Sequence, residues 1–195
     1  MSNKDIDSAP IELAAENERL RQRITELETR NSVLEDLAAT DELTGMLNRR
    51  AFDTRLKEEV ARCARYGRAA SLLYIDLDGL KAINDRHGHA EGDAILKRVA
   101  ETMRKILRQT DIIARHGGDE FAVILPDTDL QGAAIAAERI RRSIGETHVQ
   151  DCHVTASIGA AAYSPEVSSA EQLLLAADAQ LYRAKVQGRN WVCKP

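Results

Sequence analysis

The residues best able to do chemistry in this chain are carboxylates. Asp76 and Asp78 end the apolar run over residues 71–77, and Asp119 and Glu120 follow the glycine pair Gly117-Gly118. Ionised carboxylates beside apolar residues are costly unless solvent, hydrogen bonds or a cation compensates. If the strand carrying Asp76 and Asp78 lies beside the hairpin carrying Asp119 and Glu120, three or four acidic oxygens meet at one sheet edge, where glycines permit close backbone approach. Hard oxygen ligands suit magnesium or manganese, and divalent cations held against a triphosphate are the centre of metal-assisted nucleotidyl transfer. The phosphates need a counter-charge: Lys81 follows the first strand, and Lys185 and Arg189 flank Gly188 after the last helix. Each feature alone has an ordinary reading, Asp78-Gly79 as a turn, Gly117-Gly118 as a hairpin, and Lys185 with Arg189 as a cationic helix end. Their combination points to a site.

These groups must be placed by a domain of mixed helix and strand. Apolar periodicity predicts helices over residues 49–66, 93–107, 130–144 and 170–186, and strands over 71–77, 111–115, 120–125 and 153–160. Residues 79–85 read as a loop or short helix, 87–92 as a turn, and Gly117-Gly118 as a tight hairpin. The expected class is α/β (α+β): a mainly antiparallel central sheet flanked by helices, close to the βαββαβ order, preceded by a long coiled-coil helix.

In that helix Leu13, Leu20, Leu27 and Leu34 recur every seventh residue as d positions, with Asn17, Ile24, Asn31 and Ala38 at a. Asparagine at a specifies a parallel two-stranded register at a cost in stability. The g–e pairs between strands, Glu16 with Arg21, Arg23 with Glu28 and Arg30 with Glu35, all have opposite sign. At about 0–1 kcal/mol each, they choose partner and orientation more than they stabilise. A lone amphipathic helix folded back on the globular domain is the alternative. The expected organisation is a flexible amino terminus over residues 1–10, a parallel dimeric coiled coil over 11–39 and a globular domain over 40–195. A DNA-reading basic region is not expected, because Lys4 is the one basic residue in the preceding segment, residues 2–13.

Composition fits this organisation: 195 residues, 44% hydrophobic and 30% charged, suit one globular domain plus an extra element. A formal net charge of -4 supplies no overall basic field for nonspecific nucleic-acid binding. Cys63, Cys152 and Cys193 are scattered and odd in number, which argues against a disulfide framework or zinc knuckle and for buried or incidental thiols in a reducing cytoplasm. Residues 1–10 lack an apolar signal core, and no run approaches the roughly 18 apolar residues of a membrane span. Neither export nor membrane insertion is expected.

Four segments then carry a family resemblance: Asp41-Glu42-Leu43-Thr44-Gly45-Met46-Leu47-Asn48-Arg49-Arg50, Asp76-Leu77-Asp78-Gly79-Leu80-Lys81-Ala82-Ile83-Asn84-Asp85, Gly88-His89 with Gly92-Asp93, and Arg115-His116-Gly117-Gly118-Asp119-Glu120-Phe121. With Ser157-Ile158-Gly159, Leu181-Tyr182-Arg183-Ala184-Lys185 and Gly188-Arg189-Asn190, they span about residues 40–192. The chain resembles the GGDEF-type diguanylate cyclases.

The resemblance implies a palm-like nucleotidyl cyclase fold and an enzyme that condenses two GTP into cyclic di-GMP. The 3′-hydroxyl of one GTP attacks the α-phosphate of the other, twice, and pyrophosphate leaves. It implies that Asp76, the carbonyl of Leu77 and Asp119 hold Mg2+ or Mn2+, that Glu120 assists, and that Asp119 or Glu120 helps deprotonate the attacking hydroxyl. Asn84 and Asp93 would read guanine, whose N1 and N2 donors adenine lacks; His89 would lie against the nucleotide, and Lys81, Lys185 and Arg189 would face the phosphates. It implies that each protomer holds one GTP, so that two domains would have to meet and the zipper would raise the effective concentration of one near the other. Arg108-Gln109-Thr110-Asp111 matches the family's inhibitory product-site signature, with Arg139 as a further contact; its ordinary reading is a surface ion pair. A catalytically silent cyclic di-GMP-binding signalling module is the alternative function. Leu80 and His116 replace aromatic residues common in the family, and altered packing rather than lost activity is expected of both. His87 and His89 lack a third zinc ligand nearby, and a polar turn is the preferred reading.

Overall fold

The computed structural model describes residues 8–37, 39–149 and 152–195, with side chains over 16–30, 39–149 and 152–195. It divides into two units, Met1–Ala39 and Thr40–Pro195. The first contains one helix, α1 (Ser8–Leu37). Residues 8–10 are helical, and residues 1–7 lie outside the described residues. Heptad spacing places Leu20, Ile24 and Leu27 on one side of α1, where they remain 50–55% exposed. Burial of such a stripe against a matching surface is favourable. Arg23 pairs with Glu26 of its own helix. The side chains of Leu13, Asn31, Leu34, Glu35 and Ala38 lie outside the described residues.

The second unit runs α2 (Arg49–Tyr66), β1 (Ala70–Asp78), α3 (Leu80–His87), α4 (His89–Ile106), β2 (Ile112–Gly117), β3 (Glu120–Pro126), α5 (Leu130–Gly145), β4 (His148–Val149), β5 (Cys152–His153), β6 (Thr155–Ala162), α6 (Ala170–Val186) and β7 (Val192–Cys193). Five strands form a sheet in the order β2-β3-β1-β6-β7, antiparallel except for β6 with β7. β4 and β5 make a separate ribbon.

β1 lies mid-sheet and its alternation feeds two cores. Leu73, Ile75 and Leu77 join the core containing the inner faces of α4 and α5, while Leu72 and Tyr74 join that of α2 and α6. Burial on both faces makes β1 a continuous apolar run. Side-chain caps fix the helix starts: Asn48 accepts from the Ala51 amide, Asp129 from Gly132, and Ser169 forms a capping box with Gln172. α2 and α6 therefore match their predicted limits. The 87–92 stretch does not form the expected turn. Only Gly88, at φ 89°, interrupts the chain, and α4 starts at His89 rather than Asp93. The predicted strand over 153–160 is divided between β5 and β6.

Candidate active site

Even-numbered residues of β1 face α2 and α6, so Asp76 shares a face with Tyr74, and its register partner on β3 is Glu120. Gly117 ends β2 opposite Glu120, leaving Gly118 and Asp119 as the two turn residues. The Asp119 carbonyl accepts from the Leu77 amide at 3.1 Å, tying the turn to β1. Asp76, Asp119 and Glu120 thus share one corner of the sheet, and α6 brings Lys185 Nζ to 2.8 Å from Asp76 Oδ2.

Burial pushes the Asp76 carboxyl above its ordinary value of 3.8; Lys185 opposes that rise, and repulsion from Asp119 and Asp78 adds to it. The corner holds more negative charge than one lysine neutralises. Among the described residues, no three His, Cys, Asp or Glu side chains form a cage for an ion. Magnesium does not require one, since it binds through one or two carboxylates together with water and substrate phosphates. Two or three hard carboxylates of raised negative charge fit that demand.

Asp78, the carboxylate outside the expected metal set, is engaged by hydrogen-bond donors. Its Oδ1 accepts from Ser157 Oγ at 2.8 Å, and its Oδ2 from Thr155 Oγ1 at 2.9 Å and the Asn190 amide at 3.0 Å. Arg141 Nη1 also holds Asn190, through Oδ1 at 2.6 Å. Together they pin the loop after α6, where Gly188, Arg189 and Asn190 all take positive φ, a conformation that costs energy in the two non-glycine residues. The Arg189 amide donates to the Ala184 carbonyl at 3.2 Å, which folds exposed Arg189 back beside the end of α6.

The break at Gly88 turns α4 back onto α3 and brings Asn84 beside the segment carrying Asp93. A Cβ at Gly92 would lie 1.9 Å from Asn84 Oδ1, so glycine lets the helices close there. Asn84 Oδ1 is buried without a hydrogen-bond partner, an acceptor that a ligand N–H would satisfy. Asp93 and His89 are exposed on α4, and Lys81 is exposed in the first turn of α3. The histidines at 87 and 89 end one helix and begin the next.

Elsewhere, Arg108, Asp111 and Arg139 line one pocket with Thr128, Gly132 and Ile135. Asp111 Oδ2 accepts from the Arg108 backbone amide at 2.8 Å rather than from its guanidinium, a turn in place of the surface ion pair. Leu80 is buried in the core, and the three cysteines are free and buried.

Sequence reasoning missed the clamp on the acidic turn. Arg115 donates to the Gly118 carbonyl through Nε at 3.0 Å and Nη2 at 2.8 Å, and pairs with Asp41 at 3.2 Å. Burial works against the Asp41 charge, but hydrogen bonds from Thr44 and the Arg115 charge bring its pKa below the ordinary value. His116 was also understated. It is the extra residue where the β2–β3 register shifts, and it is buried beside polar groups rather than only repacked.

This sheet, with an acidic hairpin turn against its central strand, is a nucleotidyl cyclase arrangement. The family model described as diguanylate cyclase, GGDEF domain, matches residues 38–191, and the chain belongs to that family. It is 40% identical over 172 residues to the bifunctional diguanylate cyclase/cyclic di-GMP phosphodiesterase MucR of Pseudomonas aeruginosa, covering 87% of this chain and 25% of MucR. The solved coiled coil and GGDEF domain of DgcB from Caulobacter crescentus, in complex with c-di-GMP, matches with a TM-score of 0.77 and 32% identity over 91% of this chain and 97% of that one. Diguanylate cyclase SiaD in complex with its activator SiaC, from Pseudomonas aeruginosa, matches with a TM-score of 0.76 and 32% identity over 98% of this chain and 78% of that one. The chain spans less than half the length of the curated relatives it matches. Among the described residues, no helix is long and apolar enough to cross a membrane.

Proposed function

We propose that this chain is a diguanylate cyclase that condenses two GTP into cyclic di-GMP and releases two pyrophosphates. The observation that carries this reading is the register pair of Asp76 and Glu120, with Asp119 tied to β1 and Lys185 above them, in a chain of the GGDEF family. Asp76, Asp119, Glu120 and the Leu77 carbonyl would hold Mg2+ or Mn2+. Bound there, the ion supplies charge against the triphosphate and lowers the pKa of the attacking hydroxyl. Lys185 exchanges Asp76 for phosphate and is joined by Lys81 and Arg189. Asn84 and Asp93 accept from guanine N1 and N2, and His89 lies against the nucleotide. Asp119 or Glu120 takes the proton of the 3′-hydroxyl.

One domain presents one GTP, so a second copy completes the reaction. The exposed stripe of Leu20, Ile24 and Leu27 supports pairing of residues 11–39 as a parallel coiled coil. A second reading of α1 rests on the SiaD match, which extends over 98% of this chain and belongs to a cyclase solved with an activator: the stalk receives a regulatory partner.

Full chain incubated with GTP and Mg2+ is expected to release two pyrophosphates per cyclic di-GMP. No product above an Asp119→Ala control overturns the reading, and product binding without turnover replaces it with a silent binding module. The pocket of Arg108, Asp111 and Arg139 is assigned to product inhibition. A guanidinium hydrogen bond is worth roughly 1.5–3 kcal/mol, so Arg108→Ala is expected to raise the product concentration for half-inhibition by about tenfold or more. Superimposable inhibition curves would remove that assignment.

A further inference from the structure

Beside Glu120 stand two buried polar side chains that the reaction as described does not use. Tyr74, 6% exposed, precedes Asp76 by two residues on the same face of β1. Its hydroxyl lies 3.1 Å from Glu120 Oε2 and 2.8 Å from His116 Nδ1. His116, 7% exposed, occupies the irregularity in β2, a device that re-aims a side chain. Its ring meets Phe52 and Tyr74 edge to face, with centroids at 5.6 and 5.2 Å.

The protons in this chain of contacts can be counted. A tyrosine hydroxyl has one proton, and an ionised carboxylate only accepts. If Tyr74 donates to Glu120, its oxygen is left to accept, and the proton in the 2.8 Å contact belongs to His116 Nδ1. Burial, then the charge of Arg49, holds the His116 pKa below its ordinary value against Asp53 and Glu120. A neutral ring with that proton on Nδ1 leaves a bare lone pair on Nε2. That atom is buried without a hydrogen-bond partner, 3.8 Å from Asp53 Oδ1. An unpartnered buried acceptor is costly, a cost that an apolar ring at position 116 would avoid. What the imidazole adds is a donor to Tyr74.

We infer that Tyr74, oriented by His116, is a positioning residue that holds Glu120 through Oε2 and leaves Oε1 to the ligands of the acidic corner. The consequence for turnover rests on the cyclase reading above; the donor order does not.

Two experiments on the full chain test it. A long-range 1H–15N imidazole spectrum is expected to show His116 protonated at Nδ1 and bare at Nε2; the opposite tautomer overturns the proposal whether or not the protein turns over GTP. Tyr74→Phe removes one oxygen and keeps the ring. A hydrogen bond to a charged group is worth roughly 1.5–3 kcal/mol, so kcat is expected to fall about tenfold with KM for GTP within about twofold, and Mn2+ affinity measured by calorimetry to fall severalfold. His116→Phe should behave like Tyr74→Phe, whereas His116→Asn, whose amide nitrogen can stand where Nδ1 does, should restore most of the rate. Unchanged kcat and Mn2+ affinity in Tyr74→Phe overturn the proposal, as does equal loss in all three variants with a shared fall in melting temperature. Absence of cyclic di-GMP from the wild type defeats the cyclase reading instead, and the tautomer and Mn2+ affinities still decide the positioning role.

Discussion

Asp76→Asn is expected to lower the rate of pyrophosphate release by on the order of a thousandfold while raising the melting temperature of the metal-free protein. The two effects have one origin. The side chain is 14% exposed, sits at the register position of Glu120 and is repelled by Asp119 and Asp78, with Lys185 as its partner. Loss of a preorganised charge at the reacting centre costs about 10²–10³ in rate, and a carboxylate that would also hold the proposed metal ion stands at the upper end. For stability, the folded carboxyl titrates above 3.8, so the folded state binds the proton more tightly than the unfolded one. Stability is then lost as pH rises from about 3.8 through the raised folded value, and the penalty is fully present above it. Asparagine carries no such penalty. Each kcal/mol relieved is worth about 2–4 °C in a chain of this size. Thermal melts in a chelator should show the variant more stable at neutral pH, with the advantage vanishing below about pH 3.8. A lower melting temperature at neutral pH, or retained turnover, would contradict this account of the corner.

Gly159→Ala is expected to give the largest loss of stability from a single methyl. An added Cβ would lie 2.1 Å from the Ala177 carbonyl oxygen and 2.2 Å from the Leu181 nitrogen. Both are backbone atoms of α6, so no side chain can swing away and the helix must lift from β6. Overpacking of a core costs about 1–3 kcal/mol and more where backbone must move, which corresponds to a fall of roughly 2–12 °C. Lys185 lies one turn beyond Leu181, so lifting α6 also draws it from Asp76 and turnover should fall with stability. Gly145→Ala is the matched control. Nothing lies within 4 Å of its added Cβ, at the end of α5, and loss of chain entropy in the unfolded state makes it neutral or stabilising by up to about 1 kcal/mol. Equal melting temperatures for the two variants would show that α6 does not seat on Gly159 as described.

The parts legible in the sequence are those whose signals are local. α2 and α6 are bounded by their own caps and apolar spacing, and β1 and β3 are apolar runs between turn residues. Asp76, Asp119 and Glu120 could be named as a group, but their convergence depends on the pairing of β1 with β3, a long-range register that no local pattern encodes. Glycine misled at 87–92 because it carries two meanings: Gly88 breaks the chain through positive φ, whereas Gly92 is helical and permits contact with Asn84. Asp76 and Asp78 look equivalent in sequence and share a strand face. Hydroxyls of β6 and the Asn190 amide make Asp78 a loop clamp. β4, β5 and β7 are two residues each, too short for any period to register. Tyr74 was within reach, since period two places it on the face of Asp76, but its tie to Glu120 required the neighbouring strand.

Under the proposed function two half-sites must meet before either phosphodiester bond forms, with α1 bringing them together. Specific activity measured against protein concentration, with the product identified by mass and the association state followed by ultracentrifugation, is the decisive measurement. Cyclic di-GMP should form at a specific activity that rises with concentration and levels off where the chain becomes dimeric, and removal of residues 1–37 should move both curves to higher concentration together. Undiminished specific activity where the protein is monomeric, or no cyclic di-GMP at any concentration, would contradict it.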